Sequence, residues 1–288
     1  MHINHQKEKK MKRKNKLLTI LLTALLIFGA NALAQAEEEG DLDKMKSDKT
    51  GTNPVNFQRE IRIYNDYQWL NTAGDGNQNI TTMEFRTTFL HGKWQYRLRV
   101  PYKSLESDTN NDGVDNFDDD GLGDIDMRFL TVPYMNKEKM QALAYGLEVF
   151  VDTASEDSLG AGTTSLGPQV FFAQFFKRGM FAPGLQYKFS VYEDEGRADT
   201  EQIVIDLNLL IMAKDKKSWF FADPQIVFNL ENYTESAVID LEFGVMVNKF
   251  TDSEAFKGHS AYIRPSFGSG KYRGLDYGVE VGYKIVGW

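Results

Sequence analysis

The residues best suited to chemistry stand in one run, DTNNDGVDNFDDDGLGD, at positions 108–124. Asp108, Asn110 and Asp112 place side-chain oxygens at alternate positions ahead of Gly113. Hard oxygen ligands converging from alternate residues are what a calcium ion requires. A solvated acidic loop that touches cations loosely is the other reading of the same residues. Other chemistry is thinly supplied. The chain has no cysteine, which excludes thiolate chemistry and disulfides. Past residue 36 the only histidines are His91 and His259. Ser260 adjoins His259, but neighbours on an extended strand face opposite ways and cannot form a base–nucleophile pair. No enzyme activity is expected.

Where such a loop sits decides what it can do. A basic stretch over residues 7–16 precedes the apolar run LLTILLTALLIFGA and the small-residue stretch NALAQA. This is the three-part pattern of a secretory signal peptide over residues 1–36, with cleavage after Ala36. Residues 37–53 are charged and lack an apolar period, so 37–54 reads as a flexible periplasmic lead-in. The formal net charge is −8, and the leader carries seven Lys/Arg against one Glu, so the exported chain is more acidic still. That balance argues against nucleic acid or anionic headgroups as partners.

From Val55 to Trp288 the sequence alternates with period two. WQYRLRVPY sets Trp94, Tyr96, Leu98, Val100 and Tyr102 against Gln95, Arg97 and Arg99. IVIDLNLLI sets Ile203, Ile205, Leu207, Leu209 and Ile211 against Asp206 and Asn208. Twelve such segments follow one another, most of them long enough to cross a bilayer as tilted strands. Long polar connections alternate with tight ones such as HGK and NKEK, until TDSEAFKGH at 251–259 breaks the pattern. Trp94 and Trp219 stand beside tight turns and Trp69 beside a long loop, the two levels of an aromatic girdle. In hydrocarbon every backbone polar group must be paired, and among β structures only a closed barrel does this. The expected fold is therefore all-β, an antiparallel transmembrane β-barrel of about twelve strands over 55–288 in the bacterial outer membrane. Its expected partners are outer-membrane lipid, lipopolysaccharide and the insertion machinery that reads an aromatic end. Trp288 falls one residue out of register, which a bulge near Gly287 would restore. A soluble secreted β-sandwich is the competing architecture.

If the apolar stripes meet lipid, the opposite stripes line a lumen. They carry Glu60, Arg62, Asp66, Glu84, Arg86, Arg97, Arg99, Asp126 and Arg128 on early strands. Lys188, Asp206, Asp240, Glu242, Glu280 and Lys284 follow on later ones. Arginines on the first four strands facing Asp206, Asp240 and Glu242 would set a transverse field across a constriction that orients a polar or zwitterionic solute. The alternative is a mutually neutralising ion network that fills a narrow bore.

Two resemblances sharpen these readings. GLGDIDMRF at 121–129 and GLEVFVDTASEDSLGAGTTSLGPQV at 146–170 resemble motifs of the outer-membrane transporter family of the phenol meta-pathway type. VDTAS departs from the Pro-Thr-Gly usual in that family. The resemblance implies a barrel and uptake of small, often aromatic, compounds, and it carries over no binding residues. DTNNDGVDNFDD is similar to the calcium loops of EF-hands and thrombospondin-type repeats. That likeness implies side-chain ligands from Asp108, Asn110, Asp112, Asn116 and Asp119, with a backbone carbonyl from Val114. Asp119 stands where EF-hands prefer Glu, which implies weak binding. The expected function is a channel for small-molecule solutes. A non-conducting surface-binding barrel with a calcium loop is the alternative.

Overall fold

The computed structural model describes residues 49–71, 76–107, 117–251 and 253–287. The strands are β1 (Glu60–Leu70), β2 (Gly76–Phe89), β3 (Trp94–Ser107), β4 (Phe117–Leu122), β5 (Ile125–Asn136), β6 (Gln141–Val151) and β7 (Thr163–Phe176). Then come β8 (Gly179–Glu193), β9 (Glu201–Met212), β10 (Ser218–Asn229), β11 (Thr234–Met246), β12 (His259–Ser269) and β13 (Leu275–Val286). Apart from β4 and β5, sequential neighbours pair antiparallel, and β1 pairs with both β2 and β13, which closes the sheet. The expected single fourth segment is in fact two elements. β3 pairs with β5 over Trp94–Arg99 and with β4 over Tyr102–Ser107. β4 and β5 thus form one wall strand broken at Gly123 and Asp124, and the barrel wall has twelve strands.

Period-two patterning decides which face goes where. Ile63, Met83, Phe243 and Val281 are about half exposed, on the outside. Their strand neighbours Arg62, Glu84, Glu242 and Glu280 are buried, on the inside. A wall of exposed large apolar residues around a charged interior is an inverted globule, stable only with lipid outside. Tight hairpins close one end. At the first, Leu90 and His91 take φ of 50° and 58° and Gly92 follows at 81°, the left-handed geometry whose twist suits two strands. The long connection after β11 contains two short 3₁₀ turns, Val247–Lys249 and Glu254–Phe256.

Two expectations are corrected. Residues 49–54 are not a loose lead-in, and the first strand starts at Glu60 rather than near Val55. Thr50, Asn53, Val55 and Asn56 are buried within the barrel. Lys284 Nζ donates to the Thr50 carbonyl at 3.1 Å, and Arg62 and Arg86 donate to the Gly51 carbonyl at 3.1 and 2.6 Å. Val55 packs with Leu130, Ala142, Ala144, Phe171, Ala173 and Met180 from the inner wall. The small alanines leave the room that the segment occupies. The second correction concerns Trp219, which is not a girdle residue. It is 4% exposed, faces inward and donates from Nε1 to Glu242 at 2.7 Å. Its ring lies over Gly244, where a β-carbon would sit 2.0 Å from it. At the rim, Trp69 does stack on Tyr277, with ring centroids 4.5 Å apart.

Candidate permeation site

The inward charges divide into two groups. The first is a paired network on β1–β3, β5–β6 and β11–β13. Arg62 meets Glu60 at 2.7 Å, Arg86 meets Glu84 at 2.6 Å and Arg99 meets Glu84 at 2.7 Å. Arg97 bridges Asp126 at 2.8 Å and Glu148. Glu242, wholly buried, accepts from Lys284 at 2.8 Å and from Arg264, which also reaches Glu280 at 3.4 Å. Glu242 therefore belongs to this network and does not stand free on the far wall. Buried ions need such partners, because each loses several kcal/mol of hydration.

The second group forms no ion pairs among the described residues and borders a cavity of about 390 Å³, whose wall also includes Arg62, Arg86, Arg97, Arg99, Glu148 and Arg264 of the network. Gly51, Thr52 and Pro54 of the inserted segment form part of its lining. Arg97, Arg128, Gln169, Lys188, Asp206 and Asp223 face it, with Phe150, Phe171 and Phe221 among them. Asp240 is half-buried on β11 and does not border it. Phe171 crosses to Gly184 on β8, where a β-carbon would meet the ring at 2.4 Å, so glycine there admits an aromatic shelf. Arg128 Nε, Gln169 Nε2, Asp206 Oδ1 and Asp223 Oδ1 are buried and have no hydrogen-bond partner among the described residues. Lys188 rests its ammonium 3.7 Å from the centroid of the Phe150 ring. Sequence reasoning placed Arg128, Lys188 and Asp206 on the inner stripe and missed Glu148, Gln169, Asp223 and Arg264. The signal for the last four was the same parity, as in Leu147-Glu148-Val149 and Ile263-Arg264-Pro265.

Of the acidic run, Asp108, Asn110, Asp112, Val114 and Asn116 lie outside the described residues. Asp119 is on β4 and accepts a hydrogen bond from Ser158 Oγ at 2.5 Å. No cluster of three or more metal-ligating side chains occurs among the described residues. Asp124, at the wall break, has a distinct role. Its carboxylate accepts the backbone N–H groups of Thr153, Ala154 and Ala161 at 3.2, 3.2 and 2.7 Å. A β-carbon at Gly160 would lie 2.9 Å from that carboxylate. The Ser155 amide donates to the Leu122 carbonyl at 2.9 Å, and Leu159 is fully buried. The GLGDI and VDTASEDSLGAG stretches therefore interlock, so that the loop at 152–162 seals the wall where β4 parts from β6. His259 Nδ1 lies 2.7 Å from the Tyr283 hydroxyl, while the Ser260 side chain is buried on the opposite face.

A closed antiparallel barrel with an apolar outer belt and a charged bore defines a β-barrel of the bacterial outer membrane. Solved structures of that class share the fold. An outer membrane channel from Pseudomonas putida F1 matches with a TM-score of 0.63 at 10% identity, covering 81% of this chain and 96% of that one. The NanC porin matches with a TM-score of 0.53 at 9% identity, covering 79% of this chain and 98% of that one. No protein-family profile and no curated protein matches the sequence.

Proposed function

We propose that the protein is an outer-membrane channel for small solutes. The observation that carries this reading is the polar cavity of about 390 Å³ enclosed by the closed wall. A barrel with a purely structural task would gain by filling its bore with packed or paired groups, whereas this one keeps a space lined by charged and polar side chains. The similar solved barrels are an outer membrane channel and a porin, which supports the same reading. A preference for aromatic compounds rests on the motif resemblance, and three phenylalanines in the lining are compatible with it. The second reading is a non-conducting barrel whose acidic loop binds calcium at the cell surface. One observation favours it: residues of the segment 49–57 occupy the bore. Reconstitution into planar bilayers and solute-loaded liposomes separates the two. Discrete conductance steps and solute entry are expected; a silent bilayer and impermeant liposomes would rule out the channel.

A further inference from the structure

We infer that the cavity is a binding site for a small zwitterion, a solute carrying one carboxylate and one protonated amine on a compact apolar body. The inference deepens the channel reading and rests on it for transport, though not for binding. Charge is left over at the cavity. Most lumen ions cancel in the paired network. At the cavity a guanidinium, Arg128, and an ammonium, Lys188, stand on β5 and β8. Two carboxylates, Asp206 and Asp223, stand on β9 and β10. Each of the two carboxylates has a buried oxygen without a partner among the described residues. Gln169, 3% exposed, also borders the cavity. The other arginines of the lining, Arg62, Arg86, Arg97, Arg99 and Arg264, are each ion-paired with a carboxylate, whereas these two basic groups and two carboxylates form no ion pair among the described residues, so the arrangement fits a guest that brings both charges. A guest with only an anion would leave both carboxylates unmatched, and one with only a cation would leave the two basic groups unmatched. A zwitterion satisfies both sides at once, and the phenylalanine rings accept its apolar body. The volume suits a molecule the size of an amino acid.

Three matched probes test this: phenylalanine, 3-phenylpropionate and phenethylamine share one ring and differ in charge. Each is titrated calorimetrically into the full exported chain in detergent micelles. Phenylalanine is expected to bind about tenfold tighter than either analogue, the scale of one charge-assisted hydrogen bond. Arg128→Gln should weaken phenylalanine by about tenfold and leave phenethylamine unchanged. Asp206→Asn with Asp223→Asn should weaken phenylalanine and phenethylamine and spare 3-phenylpropionate. Heat-modifiable gel mobility checks that the variants remain barrels, and the three-probe comparison on the unaltered chain needs no variant. Equal affinity for all three probes, or no binding of phenylalanine, overturns the inference. Ion conductance with that result would leave the channel reading standing; absent conductance with selective phenylalanine binding would leave only the binding site.

Discussion

The Gly51 carbonyl helps hold the inserted segment in its seat, and Gly51→Ala probes that hold without replacing any charged residue of the wall. Gly51 adopts φ of 69°, a left-handed conformation that costs a residue with a side chain about 1–2 kcal/mol. A β-carbon there would lie 2.1 Å from Glu60 Oε2 and 2.8 Å from its Cδ. Glu60 cannot yield, since it is 1% exposed and held by Arg62 at 2.7 Å and Arg86 at 3.6 Å. Residue 51 must back away instead. Its carbonyl then loses the bonds from Arg62 and Arg86, each charge-assisted and worth roughly 1.5–3 kcal/mol. The loss is at least several times RT, while about 1.4 kcal/mol is already tenfold in a population. The expected outcome is an open probability in planar bilayers at least about tenfold above that of the unaltered protein. The wall contacts are unchanged, so heat-modifiable mobility should not move. Identical gating of the two proteins would refute the view that the segment at 49–57 controls the bore.

Three further outcomes follow from the same contacts. Asp124→Ala removes the acceptor of three loop amides, so hydrogen exchange at Thr153, Ala154 and Ala161 should accelerate by about tenfold or more; unchanged protection would mean that the loop holds itself. Glu242→Gln strips a fully buried carboxylate from Lys284, Arg264 and Trp219, and should destabilise the barrel by about 3–5 kcal/mol in urea unfolding from lipid vesicles. A change under about 1 kcal/mol would show that the network is dispensable to stability. For the proposed calcium loop, calorimetry of the exported chain should find a dissociation constant near 10⁻⁴–10⁻³ M, lost in a variant carrying Asp108→Asn with Asp112→Asn. Equal calcium binding by that variant would place any ion elsewhere.

Much of this molecule was legible from parity alone. A strand has two faces, so Ile205 and Asp206, or Phe243 and Glu242, declare opposite surroundings wherever one face meets lipid. Parity does not give depth along the strand or the company a residue keeps across the bore. Trp219 illustrates the first limit: its position beside a tight turn looked like a headgroup anchor, yet it is paired with Gly244 and Met212 on the inner face. Glu242 illustrates the second. Its stripe was evident, but its partner Lys284 lies 42 residues away, across the intervening β12. The wall break at Gly123 and Asp124 was also hidden, because both halves pair with the same strand, β3, and only the register slips by one, from Arg99 opposite Asp126 to Tyr102 opposite Leu122.

The inserted segment left a trace in the sequence that only its occupancy explains. In a bore filled by water the inward stripe should stay polar from end to end. Here it turns apolar near the short-turn end: Ala142 and Ala144 on β6, Ala173 on β7, Met180 and Ala182 on β8, Leu210 and Met212 on β9, all inward and buried. Their outward neighbours Phe172, Phe181 and Ile211 are apolar as well, so the contrast between stripes fades there. An apolar stripe on both faces of a lipid-embedded strand requires a second apolar partner inside the barrel. Val55, with Phe57 against the same cluster, is that partner. The loss of alternation at the strand ends therefore marks a docking surface for the chain's own N-terminal segment, and the polar cavity begins where that surface stops.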